Sequence, residues 1–157
     1  MSGGSHWTVT LPAGQAMDLA VTANAGTARL DLAGGNVTSA SLTVNAGSVT
    51  AVLPASLTSF SVTANAGSAS LTLPSANVSG TITANAGSVA LCVPPGTAIR
   101  IRLSDAVLGG NNFANHGLAQ SGDTWTSPDY GSAPTRIDVS ATANVGSVNL
   151  DPEGGCR

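Results

Sequence analysis

The heptapeptide Val62-Thr63-Ala64-Asn65-Ala66-Gly67-Ser68 constrains this chain more than any other feature, because the sequence repeats it in variant form five times. The copies begin at Val21, Leu42, Val62, Ile82 and Ala141, and their central asparagines are Asn24, Asn45, Asn65, Asn85 and Asn144. The spacings are 21, 20, 20 and 59 residues, and the last is close to three further periods. Each Asn-x-Gly is followed by a second short apolar run, as in Ala69 to Leu73 and Val89 to Val93. One unit therefore reads as strand, tight turn, strand and polar linker. A period near ~20 is too short for helix-pair repeats and lacks a leucine-rich consensus. The reading left is a coil of an all-β, single-stranded β-solenoid, right-handed by the common hand of parallel crossovers, in which each turn buries its inner face by stacking on its neighbours.

Strand phase decides which side chains meet, since they alternate with period 2. Counting back from the turn puts Met17, Leu19, Val21 and Ala23 on one face of the first copy. The matching sets are Ala40, Leu42 and Val44, then Phe60, Val62 and Ala64, then Val78, Ile82 and Ala84. All are apolar, and the intervening positions carry Thr22, Thr43, Thr63, Thr83 and Thr142. Stacked about 4.8 Å apart, these threonines form an outer ladder. At the turn, Asn accommodates left-handed backbone or bonds locally, and Gly supplies positive φ. Asn also suits a ladder, with its amide bonded to its equivalent on the next coil.

The 157 residues read as one domain with an N-terminal capping strand in 1–14, an irregular insertion in 111–132 and a flexible tail in 152–157. Prolines 54, 74, 94 and 95 follow second strands and end their ladders. From Thr97 the repeat loosens: Ile99, Ile101 and Leu103 alternate with Arg100 and Arg102, a strand with a charged outer face. The insertion that follows is rich in Gly, Asn, Ser and Asp and holds His116, Trp125 and Tyr130.

Composition narrows function mostly by exclusion. Charged residues are 8%, the net charge is −3 and there is no lysine, so no basic footprint for nucleic acid or anionic lipid exists. Aromatic content of 3% leaves Val, Leu, Ile and Ala to fill a narrow interior. No apolar run approaches the ~18 to 20 residues of a membrane span. Membrane attachment is expected only through a segment absent from this chain.

The residues resemble a family. The Asn-Ala-Gly-Ser-Val-x-Leu repeats occur with Gly96 to Ile101, with Gly122-Asp123-Thr124-Trp125-Thr126-Ser127-Pro128-Asp129-Tyr130, and with Val145-Gly146-Ser147-Val148. The combination is similar to the bacterial "putative adhesin" or toast-rack domains, and to the C-terminal domains of cell-wall stress regulators of the Lia type. The resemblance covers roughly Val9 to Leu150. It implies a β-solenoid in an extracytoplasmic cell-envelope protein, commonly fused to membrane spans, and it brings no catalytic residues.

The residues themselves point to no enzyme, cofactor, metal or small-molecule substrate. His6 and His116 lie outside any metal-ligand spacing. Asp105, Asp123 and Asp129 with Asn111 and Asn112 could hold calcium, but they match no EF-hand or nonapeptide loop and read better as turn residues. Trp125 and Tyr130 either pack the insertion against the solenoid or are displayed as anchors for a protein partner. Cys92 is expected to point outward, and with Cys156 it forms either a tail-pinning disulfide or a pair of unused thiols; the disulfide would imply an oxidising compartment.

Three functions fit. The first is a non-catalytic binding or scaffold domain that engages a protein partner or takes part in envelope-stress signalling. The second is a self-assembling element, a bactofilin-like filament or adhesin, joined through open strand edges. The third is an ice-binding surface on the threonine ladder.

Overall fold

The computed structural model describes residues 14–104 and 110–151. The expected capping strand in 1–14, except for Gly14, and the expected tail in 152–157 lie outside the described residues, as do Asp105, His6 and Cys156.

Among the described residues, twelve strands form one sheet, which curls into a half-barrel. The first unit contributes β1 (Met17–Ala23) and β2 (Thr27–Asp31). The second and third are single long strands, β3 (Val37–Val52) and β4 (Ser59–Thr72), which run unbroken through their Asn-Ala-Gly. The fourth splits into β5 (Val78–Ala84) and β6 (Ser88–Cys92). Then come β7 (Thr97–Ser104), β8 (Gly110–Asn111), a short 3-10 helix (Phe113–His116), β9 (Ala119–Ser121), β10 (Thr124–Thr126), β11 (Thr135–Ala143) and β12 (Ser147–Leu150).

The repeats pair in parallel and in register. Leu42, Val62 and Ile82 are successive partners, and so are Thr43, Thr63 and Thr83. The apolar sets of the second to fourth units are buried as their phase requires, with Val62 only 1% exposed. Met17, Leu19, Val21 and Ala23 are half-buried, because among the described residues β1 has a neighbour on one side alone. Gly80 takes the place of an inward side chain because the Phe60 ring fills that space; a Cβ there would fall on the ring.

The corner works differently from a turn built on positive φ. Gly26 and Gly47 have φ of 109° and 122°, but the other three corner glycines do not have positive φ. Close stacking is what demands glycine: a Cβ on Gly67, Gly87 or Gly146 would fall on the carbonyl of the glycine before it in the stack. The asparagines form the ladder that their amides allow. Nδ2 of Asn45, Asn65, Asn85 and Asn144 donates to Oδ1 of Asn24, Asn45, Asn65 and Asn85 respectively, each at 2.7 Å.

The order of units in space departs from their order in sequence. The 59-residue interval is not three further coils: β11 and β12 lie directly beside β5 and β6, with Ala141 opposite Ile82 and Val148 opposite Val89. The unit containing β7 and β8 sits beyond them, on the far side of β11 and β12. The last unit of the chain is thus inserted between the fourth and fifth. The asparagines supply a reason. The fifth unit has Val107-Leu108-Gly109 where an Asn-bearing corner would fall. It would break the amide ladder at Asn85, whereas Asn144 extends it.

The insertion expected in 111–132 is ordered. Its β9 and β10 make a hairpin around Gly122-Asp123, with Gly122 at φ 64°, and β10 pairs antiparallel to β7. The hairpin therefore occupies the outer edge of β7. Phe113 from the 3-10 helix is fully buried at this end of the core. Asn112 holds it there by imitating a strand: its amide donates to the Leu150 carbonyl at 2.8 Å and its Oδ1 accepts from the Leu150 N–H at 2.7 Å.

Candidate functional site

The alternation of β7 sends Ile99 and Ile101 into the core and leaves Arg100 and Arg102 exposed. On β11 the same alternation turns Asp138 and Ser140 outward between buried Ile137, Val139 and Ala141. Parallel register then sets Arg100 opposite Asp138 and Arg102 opposite Ser140. Arg100 closes on Asp138 through Nε and Nη2, both 2.8 Å from Oδ1. At about half exposure on each side chain, this ion pair contributes at most ~1 kcal/mol by itself.

Tyr130 turns the pair into a fixed cluster. Its hydroxyl donates to the Asp138 carboxylate, 2.7 and 2.8 Å from the two oxygens. The Arg100 guanidinium lies 4.7 Å from the ring centroid and that of Arg136 lies 5.6 Å away, both within cation–π range. Burial raises the Tyr130 pKa above its ordinary value; the hydrogen bond to Asp138 and that carboxylate's charge add to the effect, and the two arginines oppose it. The loop carrying Tyr130 is anchored by Ser127, whose N–H donates to the Ile99 carbonyl while its Oγ accepts from the Ile99 N–H.

Beside this cluster runs a groove of about 420 Å³ on the outer face of the sheet. Ser59, Ser79, Thr81, Ser140 and Thr124 bring hydroxyls to it, and Arg100, Arg102 and Asp138 bring charge. The Arg102 side chain makes no hydrogen bond or ion pair with any described residue. The arrangement suits binding through charge and hydrogen bonds. Among the described residues no three His, Cys, Asp or Glu side chains gather as a metal site.

The other sequence candidates fall in several places. Trp125 pairs with Ile101 across β10 and β7, packs against the core, and meets Phe113 edge-to-face with centroids 5.7 Å apart. It thus lines the end of the core, whereas Tyr130 joins the charged cluster. Thr22, Thr43, Thr63, Thr83 and Thr142 form a single outer row, continued by Ser104. His116 is exposed and lies 3.1 Å from the Asn112 amide. Asn111 accepts from the Phe113 N–H, and Asp123 accepts from the Thr124 hydroxyl. Cys92, expected to point outward into solvent, is instead buried at 4% exposure and disulfide-bonded. Its alternation does turn it away from inward Leu91, but that position is covered.

The sequence does not single out Asp138, Arg136 or Phe113, and it marks Asn112 only as a turn residue that could hold calcium. One signal could have found the cluster: three of the chain's five cationic side chains, Arg100, Arg102 and Arg136, fall between residues 100 and 136 of a sequence that is only 8% charged.

Comparison with known proteins agrees with the resemblance read from the motifs. Residues 2–74 match the family model for the N-terminal domain of toast_rack, DUF2154. A solved structure described as a "putative cell adhesion protein", from Clostridium sporogenes ATCC 15579, is similar with a TM-score of 0.62 and 15% identity. The match covers 88% of this chain and 92% of that one, and at such identity it speaks to the fold alone. No curated protein matches the sequence. No helix among the described residues is long and apolar enough to cross a membrane.

Proposed function

For a chain whose residues 2–74 match the family model for the toast-rack N-terminal domain, we propose the role of a non-catalytic binding domain in a bacterial cell-envelope protein. Its stacked repeats serve as a rigid support, and its charged end meets the partner. The observation that carries this reading is the Arg100, Asp138, Tyr130 and Arg136 cluster beside an open polar groove. The regular units are explained by stacking alone, and this cluster is not. Loops and strand ends fixed on a rigid scaffold are where binding residues concentrate. A protein partner or envelope-stress signalling would both use the surface in this way. The coil geometry that goes with the proposal is a right-handed, single-stranded solenoid of about 20 residues per coil, and the 20-residue parallel registers support that length. End-to-end assembly through the β7 edge is disfavoured, since β10 already pairs there.

The test is retention of a bacterial cell-envelope extract on immobilised protein. A double charge reversal, Arg100→Glu with Arg102→Glu, should lower retention at least tenfold while the melting temperature stays near that of the wild type. Arg29→Glu, on the distant strand β2, should retain as the wild type does. Equal retention by all three would remove the charged end from the account.

A further inference from the structure

Resting on the binding-domain reading, we propose that the outer-face groove is a site for an acidic polysaccharide, with sugar hydroxyls on the serine and threonine ranks and a carboxylate or phosphate on Arg102. At about 420 Å³ the groove is within the usual size of small-ligand sites. Its floor is the face of the sheet where β4, β5, β11 and β7 run side by side. Register places Ser59 beside Ser79, and Ser79 beside Asp138, which neighbours Arg100. Two residues along, on the same face, Thr81 neighbours Ser140, which neighbours Arg102, which neighbours Thr124. The groove thus crosses the strands and offers hydroxyls at the strand spacing, ~4.8 Å.

Apart from that of Thr124, which donates to Asp123, those hydroxyls are uncommitted. Ser59, Ser79, Thr81 and Ser140 donate to and accept from no described residue through their side chains, and the Arg102 guanidinium bonds to no described residue either. Other ranks do pair, as Thr97 does with Thr135 and Ser104 with Thr142. A hydroxyl both donates and accepts, which suits a ligand dense in hydroxyls. The charge selects an anion: Arg100 and Arg102 line the groove, and the one carboxylate that lines it, Asp138, is already paired with Arg100, in a chain whose net charge is −3. Arg102 presents a planar fork able to hold a carboxylate or phosphate by two hydrogen bonds.

A peptide fits this groove less well. Adding a strand needs an open sheet edge, and β4, β5, β11 and β7 are each paired on both sides. Seating an amphipathic helix needs an apolar trough, but the side chains that point out of this floor are Ser, Thr, Arg and Asp. The aromatic groups that could anchor a peptide are engaged, Trp125 on Phe113 and Tyr130 between two arginines.

The experiment is calorimetric titration of the intact chain with four probes of similar length: oligogalacturonate, phosphorylated dextran, neutral dextran and oligo-aspartate. The expected result is binding of one or both acidic glycans, at least tenfold tighter than either neutral dextran or oligo-aspartate. Arg102→Gln should weaken that binding at least tenfold with an unchanged melting temperature. Neutral dextran binding as tightly would overturn the role of charge, and oligo-aspartate binding as tightly would assign the groove to acidic peptide. Indifference to Arg102→Gln, or failure of both acidic glycans to bind, would also overturn the proposal. If both glycans fail while the envelope extract is still retained, only this inference falls; if retention is lost as well, the binding-domain reading falls with it.

Discussion

Between β3 and β6 most outward side chains meet a near copy of themselves, whereas across β11 and β7 most meet a different residue. In the regular region Thr43, Thr63 and Thr83 follow one another, as do Asn45, Asn65 and Asn85. At the other end Asp138 meets Arg100 and Ser140 meets Arg102. The backbone registers are the same kind in both regions, so the change lies in side-chain chemistry alone. Like-on-like stacking supplies support, and to the groove it brings only the hydroxyls of Ser59, Ser79 and Thr81. Unlike stacking, on the same sheet, produces a charged cluster and a groove.

The comparison can be broken at its stiff side. Val62 is buried in the column formed by Leu42 and Ile82. Val62→Asp should cost about 5 kcal/mol or more, since it buries an unpaired charge, and should unfold the domain. Thr63→Asp, one residue along and facing outward, should shift stability by less than about 1 kcal/mol. Similar melting temperatures for the two variants would show that the two faces are not distinct.

At the capped end the effect should be more local. Phe113→Ala removes a fully buried ring and its contact with Trp125, a loss of about 3 to 5 kcal/mol at that site. Because each unit of a stack contacts only its neighbours, hydrogen exchange should quicken in 113–126 while β3 and β4 stay protected. Uniform loss of protection would mean that the cap and the stack fold as one block.

The ladder predicts a middle-sized effect. Asn65 both donates to Asn45 and accepts from Asn85, so Asn65→Ala breaks two amide bonds and should cost about 2 kcal/mol. Asn24 makes one such bond, at the end of the row. Asn24→Ala should therefore cost about half as much in a denaturant titration. Equal losses would argue that the ladder is incidental.

The smallest effect is the pH response of the cluster. Tyr130 has its pKa raised in the folded protein, so the neutral phenol is favoured there. That stabilisation is complete below the unfolded pKa and is lost as pH rises through the higher folded value. Above pH ~10 the wild type should therefore lose stability more steeply than Tyr130→Phe. Parallel stability curves for the two proteins would place Tyr130 outside the network with Asp138.

The regular half was legible because its physics is local. A 20-residue spacing, an alternation of two and an Asn-x-Gly corner dictate Val62 in, Thr63 out and Asn65 on Asn85 without reference to distant residues. The placement of the last unit was not legible in the same way. Every unit offers a similar strand edge, so pairing with β5 is open to either β7 or β11 as far as backbone bonds go. What separates them is whether a corner asparagine is present to meet Asn85, a condition that bears on unit order only when the ladder is weighed against order along the chain. The cluster stayed hidden for that reason: Arg100 and Asp138 lie 38 residues apart and meet only because β11 is inserted beside β7. Phe113 was lost among the glycines and asparagines of its segment, although its ring fills the end of the core.

The central claim, a uniform support with binding confined to its charged end, is tested most directly by amide chemical-shift mapping on addition of a solubilised cell-envelope extract. The account predicts shifts at Ser79 to Thr81, Arg100 to Arg102, Thr124, Tyr130 and Asp138 to Ser140, with Thr22, Asn24 and Thr43 unmoved. Shifts centred on the threonine row of β1 and β3, and none at Arg102, would contradict it.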